Sequence, residues 1–170
     1  VGGRAAQGLS LGSDAMAEAE AITPEGLAQL KAELEELEGA GRRAVAERIQ
    51  AARELGDLSE NAEYDAAKEE QALLEARIAW LNERLRNAQV VEADADAKVV
   101  TFGATVTVAD VETGKTFKYT IVGPAEADVS KGRVSSESPV GKALIGAAPG
   151  DTVAVSTPRG ERKLKIESLG

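Results

Sequence analysis

The chain has 170 residues, 43% of them apolar but only 3% aromatic, so it can hold one or two small cores built from Leu, Val, Ile and Ala. A net charge of −9 argues against a protein that coats nucleic acid by charge alone. The absence of cysteine and histidine excludes disulfides, thiolate nucleophiles, His-ligated zinc and Ser-His-Asp chemistry.

In chain order, Val1 to Ala15 is rich in Gly, Ser and Ala and lacks the apolar stretch of a signal peptide. It reads as a disordered leader or an appended remnant, with Met16 as the natural start. No apolar run approaches the roughly 18–20 residues that cross a membrane, so no membrane partner and a cytoplasmic location are expected.

Thr23-Pro24-Glu25 opens a helix: Thr caps, Pro suits the first position and Glu favours the positive helix start. Leu27, Leu30, Leu34 and Leu37 form a seam at spacings of three and four. Beyond Gly39 and Gly41 the seam becomes ambiguous. Val45, Ile49 and Ala52 are a better apolar set than Ala44, Arg48 and Ala51, and Leu37 to Val45 is a step of eight. A stutter and a local irregularity near Gly39–Arg43 are therefore expected.

Gly56-Asp57-Leu58-Ser59-Glu60-Asn61 is a turn-prone string. A second heptad pattern follows it through Tyr64, Ala67, Gln71, Leu74, Ile78, Leu81 and Leu85, predicting a helix from near Ser59–Asn61 to about Ala88. Ser59 or Asn61 caps it. The two patterns predict one antiparallel coiled-coil hairpin over residues 16–90. Each arm of about 30 residues is about 45 Å long, which carries a polar tip farther than a globular surface reaches. Trp80 is expected to pack at the hairpin base or against a second domain.

Residues 91–97 read as a linker, with a short strand at its start. After it the apolar period becomes two, in Ala104–Val108 and in Thr116–Val122 around an Glu112–Lys115 turn. Ser138 to Ile145 can form a short helix. Thr152–Thr157 and Arg162–Ser168 complete an α+β domain over residues 98–170 with an antiparallel sheet and one helix. Charge follows this division: residues 16–89 carry 9 basic and 17 acidic groups, residues 98–170 carry 10 and 8.

Two clusters invite a chemical reading. Asp57 and Glu60 either cap a helix, as acids at turns commonly do, or hold two carboxylates at an exposed tip to share a divalent ion. Two carboxylates make a poor isolated site but a useful supplement to a metal held by another macromolecule. Arg42, Arg43, Arg48 and Arg53 form either an ion-paired helix face or a phosphate-contacting stripe leading to the tip. Tyr64 falls on the seam, where packing beneath the tip is its expected work.

Gly56-Asp57-Leu58-Ser59-Glu60-Asn61-Ala62-Glu63-Tyr64 resembles the tip motif of the bacterial Gre transcript cleavage factors. Ile22-Thr23-Pro24-Glu25-Gly26 resembles that family's opening. Ala66–Gln71 with Glu75–Ile78 resembles its second arm, and Ser138–Gly146 its C-terminal helix motif. The likeness spans residues 20–170, in order and at the right spacing. It implies an N-terminal coiled coil and a C-terminal domain like the FK506-binding proteins, which docks on bacterial RNA polymerase near its secondary channel. It further implies that Asp57 and Glu60 help hold the second catalytic Mg²⁺ of the polymerase, with none bound firmly by the isolated protein. The factor then is not an enzyme by itself; it stimulates the polymerase to cut the 3′ end of backtracked nascent RNA. Asn61 and Tyr64 would support the tip, and Arg42, Arg43, Arg48 and Arg53 would contact RNA. The alternative within the family is a homologue that enters the same channel and blocks the polymerase.

Overall fold

The structure, a computed structural model, describes residues 19–57 and 61–170. The expected leader and start at Met16 lie outside the described residues. The chain divides into two units: Leu27–Asn87, and the residues up to Gly26 together with Ala88–Gly170.

The helical unit is α+β in no part; it is a hairpin of helices. Helix α1 (Pro24–Glu36) runs into a π-helical turn (Leu37–Gly41) and continues as α2 (Arg42–Glu54). Helix α3 (Ala62–Asn87) returns. The expected irregularity is thus a π turn that begins two residues before Gly39. Val45 and Ile49 of α2 are buried with Ala67 of α3, and Tyr64 and Leu74 pack against them. Val45, Ile49 and Ala52 are buried while Ala44, Arg48 and Ala51 are exposed, so the seam has shifted as the step of eight requires. Ion pairs link the arms along the flanks. Glu33 meets Arg77, Arg42 meets Glu75 and Arg48 meets Glu70. Numbers rise on one arm as they fall on the other, which is the antiparallel order.

The second unit is built on strands. Strand β1 (Glu20–Ile22) pairs in parallel with β2 (Ala88–Val90), and the Val91 N–H donates to the Ile22 carbonyl at 2.9 Å. Residues 20–26 and 88–97, read from sequence as hairpin and linker, therefore belong to the compact unit that holds the sheet. That sheet contains β3 (Thr105–Asp110), β4 (Thr116–Val122), β5 (Arg133–Ser135), β6 (Thr152–Thr157) and β7 (Gly160–Leu169), in the order β5-β4-β3-β7-β6. Pairing is antiparallel except where β5 joins β4 in parallel, a strand too short to show a period in sequence.

One face of the sheet is apolar by alternation. Val106, Val108, Ile121, Val155, Leu164 and Ile166 point to a core closed by Leu144, Ala147 and Val100. Helix α4 (Pro139–Leu144) supplies Leu144. Its cap is the Ser138 hydroxyl, which accepts from the Gly141 N–H at 3.1 Å, and Pro139 takes the first position. Gly141 is obligatory by contact: a Cβ there would stand 2.0 Å from the Ser135 carbonyl oxygen. Backbone thus packs directly on backbone where α4 meets β5.

Candidate functional site

Helix α2 ends where its last carbonyls are met by a tightened turn. Leu55 N–H donates to the Ala52 carbonyl at 3.2 Å and Gly56 N–H to the Arg53 carbonyl at 3.3 Å. Gly56 has φ +107°, a conformation that strains any side chain, and so it turns the chain out of the helix. Asp57 follows it and is exposed. Glu60, with Leu58 and Ser59, lies outside the described residues.

The return is organised by Asn61. Its Oδ1 accepts from the Tyr64 N–H at 3.1 Å, which makes Asn61 the N-cap of α3. Its Nδ2 donates to the Ala52 carbonyl at 2.6 Å, across the hairpin. One side chain therefore satisfies an orphan donor of α3 and gives the Ala52 carbonyl of α2 a second donor beside the Leu55 N–H. Glu63 and Asp65 add negative charge to the first turn of α3, where the helix dipole favours it. Tyr64 is half-buried against the seam, and the Arg53 guanidinium lies 6.0 Å from its ring centre.

The four arginines are not equivalent. Arg42 makes a fork to Glu75, 2.9 Å from Nε and 3.0 Å from Nη2, and Arg48 bonds Glu70. The hydrogen bonds that Arg42 donates hold the Glu75 carboxyl below the usual carboxylate range and raise Arg42. These two follow the ion-paired reading. Arg43 is exposed, and Arg53 sits over Tyr64 nearest the tip. Trp80, expected at the hairpin base or against the second domain, is flanked on its own helix by Arg77 at 4.5 Å and Arg84 at 5.2 Å.

Among the described residues no three acidic side chains gather closely enough to hold a metal ion. The Asp57 carboxylate is a hard oxygen donor of the kind Mg²⁺ takes.

Residues 20–90 match the family described as "Transcription elongation factor, N-terminal", and residues 95–170 match "Transcription elongation factor, GreA/GreB, C-term". The chain belongs to the GreA/GreB family of transcription elongation factors. It is 47% identical over 149 residues to the transcription elongation factor GreA of Listeria welshimeri, covering 87% of this chain and 93% of that one. Against GreA of Bacillus licheniformis the identity is 49% over 149 residues, covering 87% and 94%. The crystal structure of GreA factor homolog 1 (Gfh1) of Thermus thermophilus aligns over 89% of this chain and 99% of its own, at 30% identity and a TM-score of 0.40.

One residue of this GreA/GreB family member has no signal in the local sequence pattern. Glu126, its side chain 1% exposed, accepts from the Thr23 N–H at 2.7 Å, the Gly123 N–H at 3.2 Å and Arg133 Nη2 at 2.6 Å. It also accepts from the Thr23 hydroxyl. Thr23 in turn caps α1, its hydroxyl oxygen accepting from the Gly26 N–H at 3.1 Å. Thr23 and Glu126 are 103 residues apart, beyond the reach of any motif.

Proposed function

We propose that this elongation factor enters the secondary channel of bacterial RNA polymerase and stimulates the polymerase's own cleavage of backtracked RNA at its 3′ end. The observation that carries this reading is the exposed Asp57, set just past the end of α2 by Gly56 and followed by the Asn61 bridge between the arms. The sheet unit docks on the polymerase, and the hairpin brings the tip to its active centre. Asp57 and Glu60 hold the second Mg²⁺ jointly with the polymerase. When bound, that ion supplies Lewis-acid stabilisation to phosphodiester hydrolysis. Asp57 contributes charge and an oxygen donor, Asn61 and Tyr64 keep the tip from collapsing onto the arms, and Arg53 and Arg43 attract the RNA backbone. The factor does not catalyse alone, because two carboxylates leave most of an octahedral shell unfilled.

Asp57→Asn and Glu60→Gln test this. An amide keeps the shape but loses the charge that attracts Mg²⁺. Each variant should lose release of short 3′ RNA fragments from a stalled, backtracked polymerase by at least about 100-fold at low Mg²⁺, with partial rescue as Mg²⁺ rises. Binding to polymerase, measured by competition, should persist. Normal cleavage by both variants would reduce these acids to turn residues. Binding that inhibits the polymerase without fragment release by the unaltered protein would assign the channel-blocking role instead.

A further inference from the structure

The first arm contains one residue too many for a straight α-helical seam. An α-helix advances about 100° per residue, so the eight residues from Leu37 to Val45 would leave Val45 about 80° off the seam. Absorbing one residue makes the step effectively seven, about 20° from alignment. The absorption is visible in the bonding: the Arg42 N–H donates to the Leu37 carbonyl, five residues back, as well as to that of Gly39. Gly41 lets the widened turn sit against α3, since a Cβ there would stand 3.3 Å from Leu74 Cδ1. Helix α3 runs 26 residues without such an interruption and serves as the ruler.

Everything beyond the π turn depends on this phase. Val45 is 5% exposed and Ile49 8%, facing Ala67. Arg42 and Arg48 fall on the flank where Glu75 and Glu70 wait. If the turn did not absorb a residue, Ala44, Arg48 and Ala51 would take the seam, burying an arginine. The outer arm, and the chain leaving it at Gly56, would be turned by about 100°.

We propose that the π turn Leu37–Gly41 is a phase-setting device: by absorbing one residue it fixes the direction in which Asp57 is presented. This rests on the tip being the working end of the factor. The device differs from a mere weak point in that it has an exact arithmetic: one residue fewer fits, one more does not.

The test uses the full chain, which has no cysteine of its own. In an Ile49→Cys/Ala67→Cys background, a short thiol–thiol cross-linker reads the phase of α2 against α3 without polymerase. Deleting the exposed Ala40 should turn the π turn into ordinary α-helix, leaving helicity, cross-linking and fragment release within about threefold of the parent. Inserting one alanine after Ala40 should preserve helicity but abolish the cross-link, and in the cysteine-free chain lower fragment release about 100-fold. Loss of the cross-link on deleting Ala40, or an insertion variant that cross-links like the parent, overturns the proposal. So does an insertion variant that loses the cross-link yet still cleaves normally. If the unaltered chain releases no fragments, the functional reading fails while the cross-linking result still decides whether the turn sets the phase.

Discussion

Replacing Glu126 by alanine removes the acceptor on which one buried corner of the sheet unit depends. Four donors converge on that carboxylate: the Thr23 N–H and hydroxyl, the Gly123 N–H and Arg133. Water cannot readily substitute, because the Glu126 side chain is 1% exposed and that of Arg133 only 20%. A buried donor left without a partner costs about 1–3 kcal/mol, and breaking a buried ion pair from one side costs about 3–5 kcal/mol. These costs overlap, since Arg133 can swing toward solvent, so about 3–5 kcal/mol is the expected total. For a unit of this size that corresponds to a fall in Tm of more than about 12 °C. Glu126→Gln should cost less than alanine but more than nothing, because its carbonyl still accepts while its NH₂ faces donors. Amide hydrogen exchange in β3, β4 and β7, measured by mass spectrometry on the full chain, reads the opening free energy of this unit separately from the hairpin. A loss below about 1 kcal/mol in Glu126→Ala would refute the reasoning, since it would mean the donors find other partners cheaply.

Three further outcomes follow from single contacts. Gly141→Ala should lower the melting temperature, because a Cβ 2.0 Å from the Ser135 carbonyl forces α4 away from β5; the cost of about 1–3 kcal/mol exceeds the helix-propensity gain, and an unchanged melting curve would contradict it. Asn61→Ala should destabilise the tip by about 1–2 kcal/mol and speed amide exchange in the first turn of α3, whereas Asn61→Asp should keep the cap to Tyr64 and lose only the bond to Ala52. Asp110 is held below its ordinary value of 3.8 chiefly by the Thr113 N–H and then by Arg162. Its folded-state value being the lower one, its stabilising contribution is complete above about pH 4 and is lost as pH falls through the depressed value. Urea unfolding should therefore separate Asp110→Asn from the parent at about pH 7, and the gap should narrow as pH falls through the depressed value; a gap that widens on acidification would reverse the assignment.

Much of this protein was legible from residue order because its decisive interactions are local or periodic. Thr23-Pro24 marks a helix start, the heptad spacings mark two packed arms, and the change of period after Ala97 marks a sheet. Even the π turn left its trace, as a step of eight between Leu37 and Val45, since a shifted seam must be written in which apolar residues are spaced how. The turn that carries Asp57 was legible in the same way, as the six-residue string Gly56–Asn61 between two helical patterns.

What sequence could not decide was every contact whose partners are far apart in the chain. Strands β1, β2 and β5 have three residues each, too few to display an alternation, and exist because a neighbouring strand offers its hydrogen bonds. Arg42 and Arg48 looked equally suited to phosphate or to carboxylate, and only the register of α3 set Glu75 and Glu70 beside them. Which residue caps α3 depended on Ala52 offering a carbonyl across the hairpin to the same Asn61. Glu126 is the extreme case: an ordinary acid in a run of small residues becomes a buried acceptor because folding brings Thr23, Gly123 and Arg133 around it. Local propensity acts through neighbours within a few residues, whereas a buried charge is defined by the groups that replace its water, and those are chosen only when the whole chain has folded.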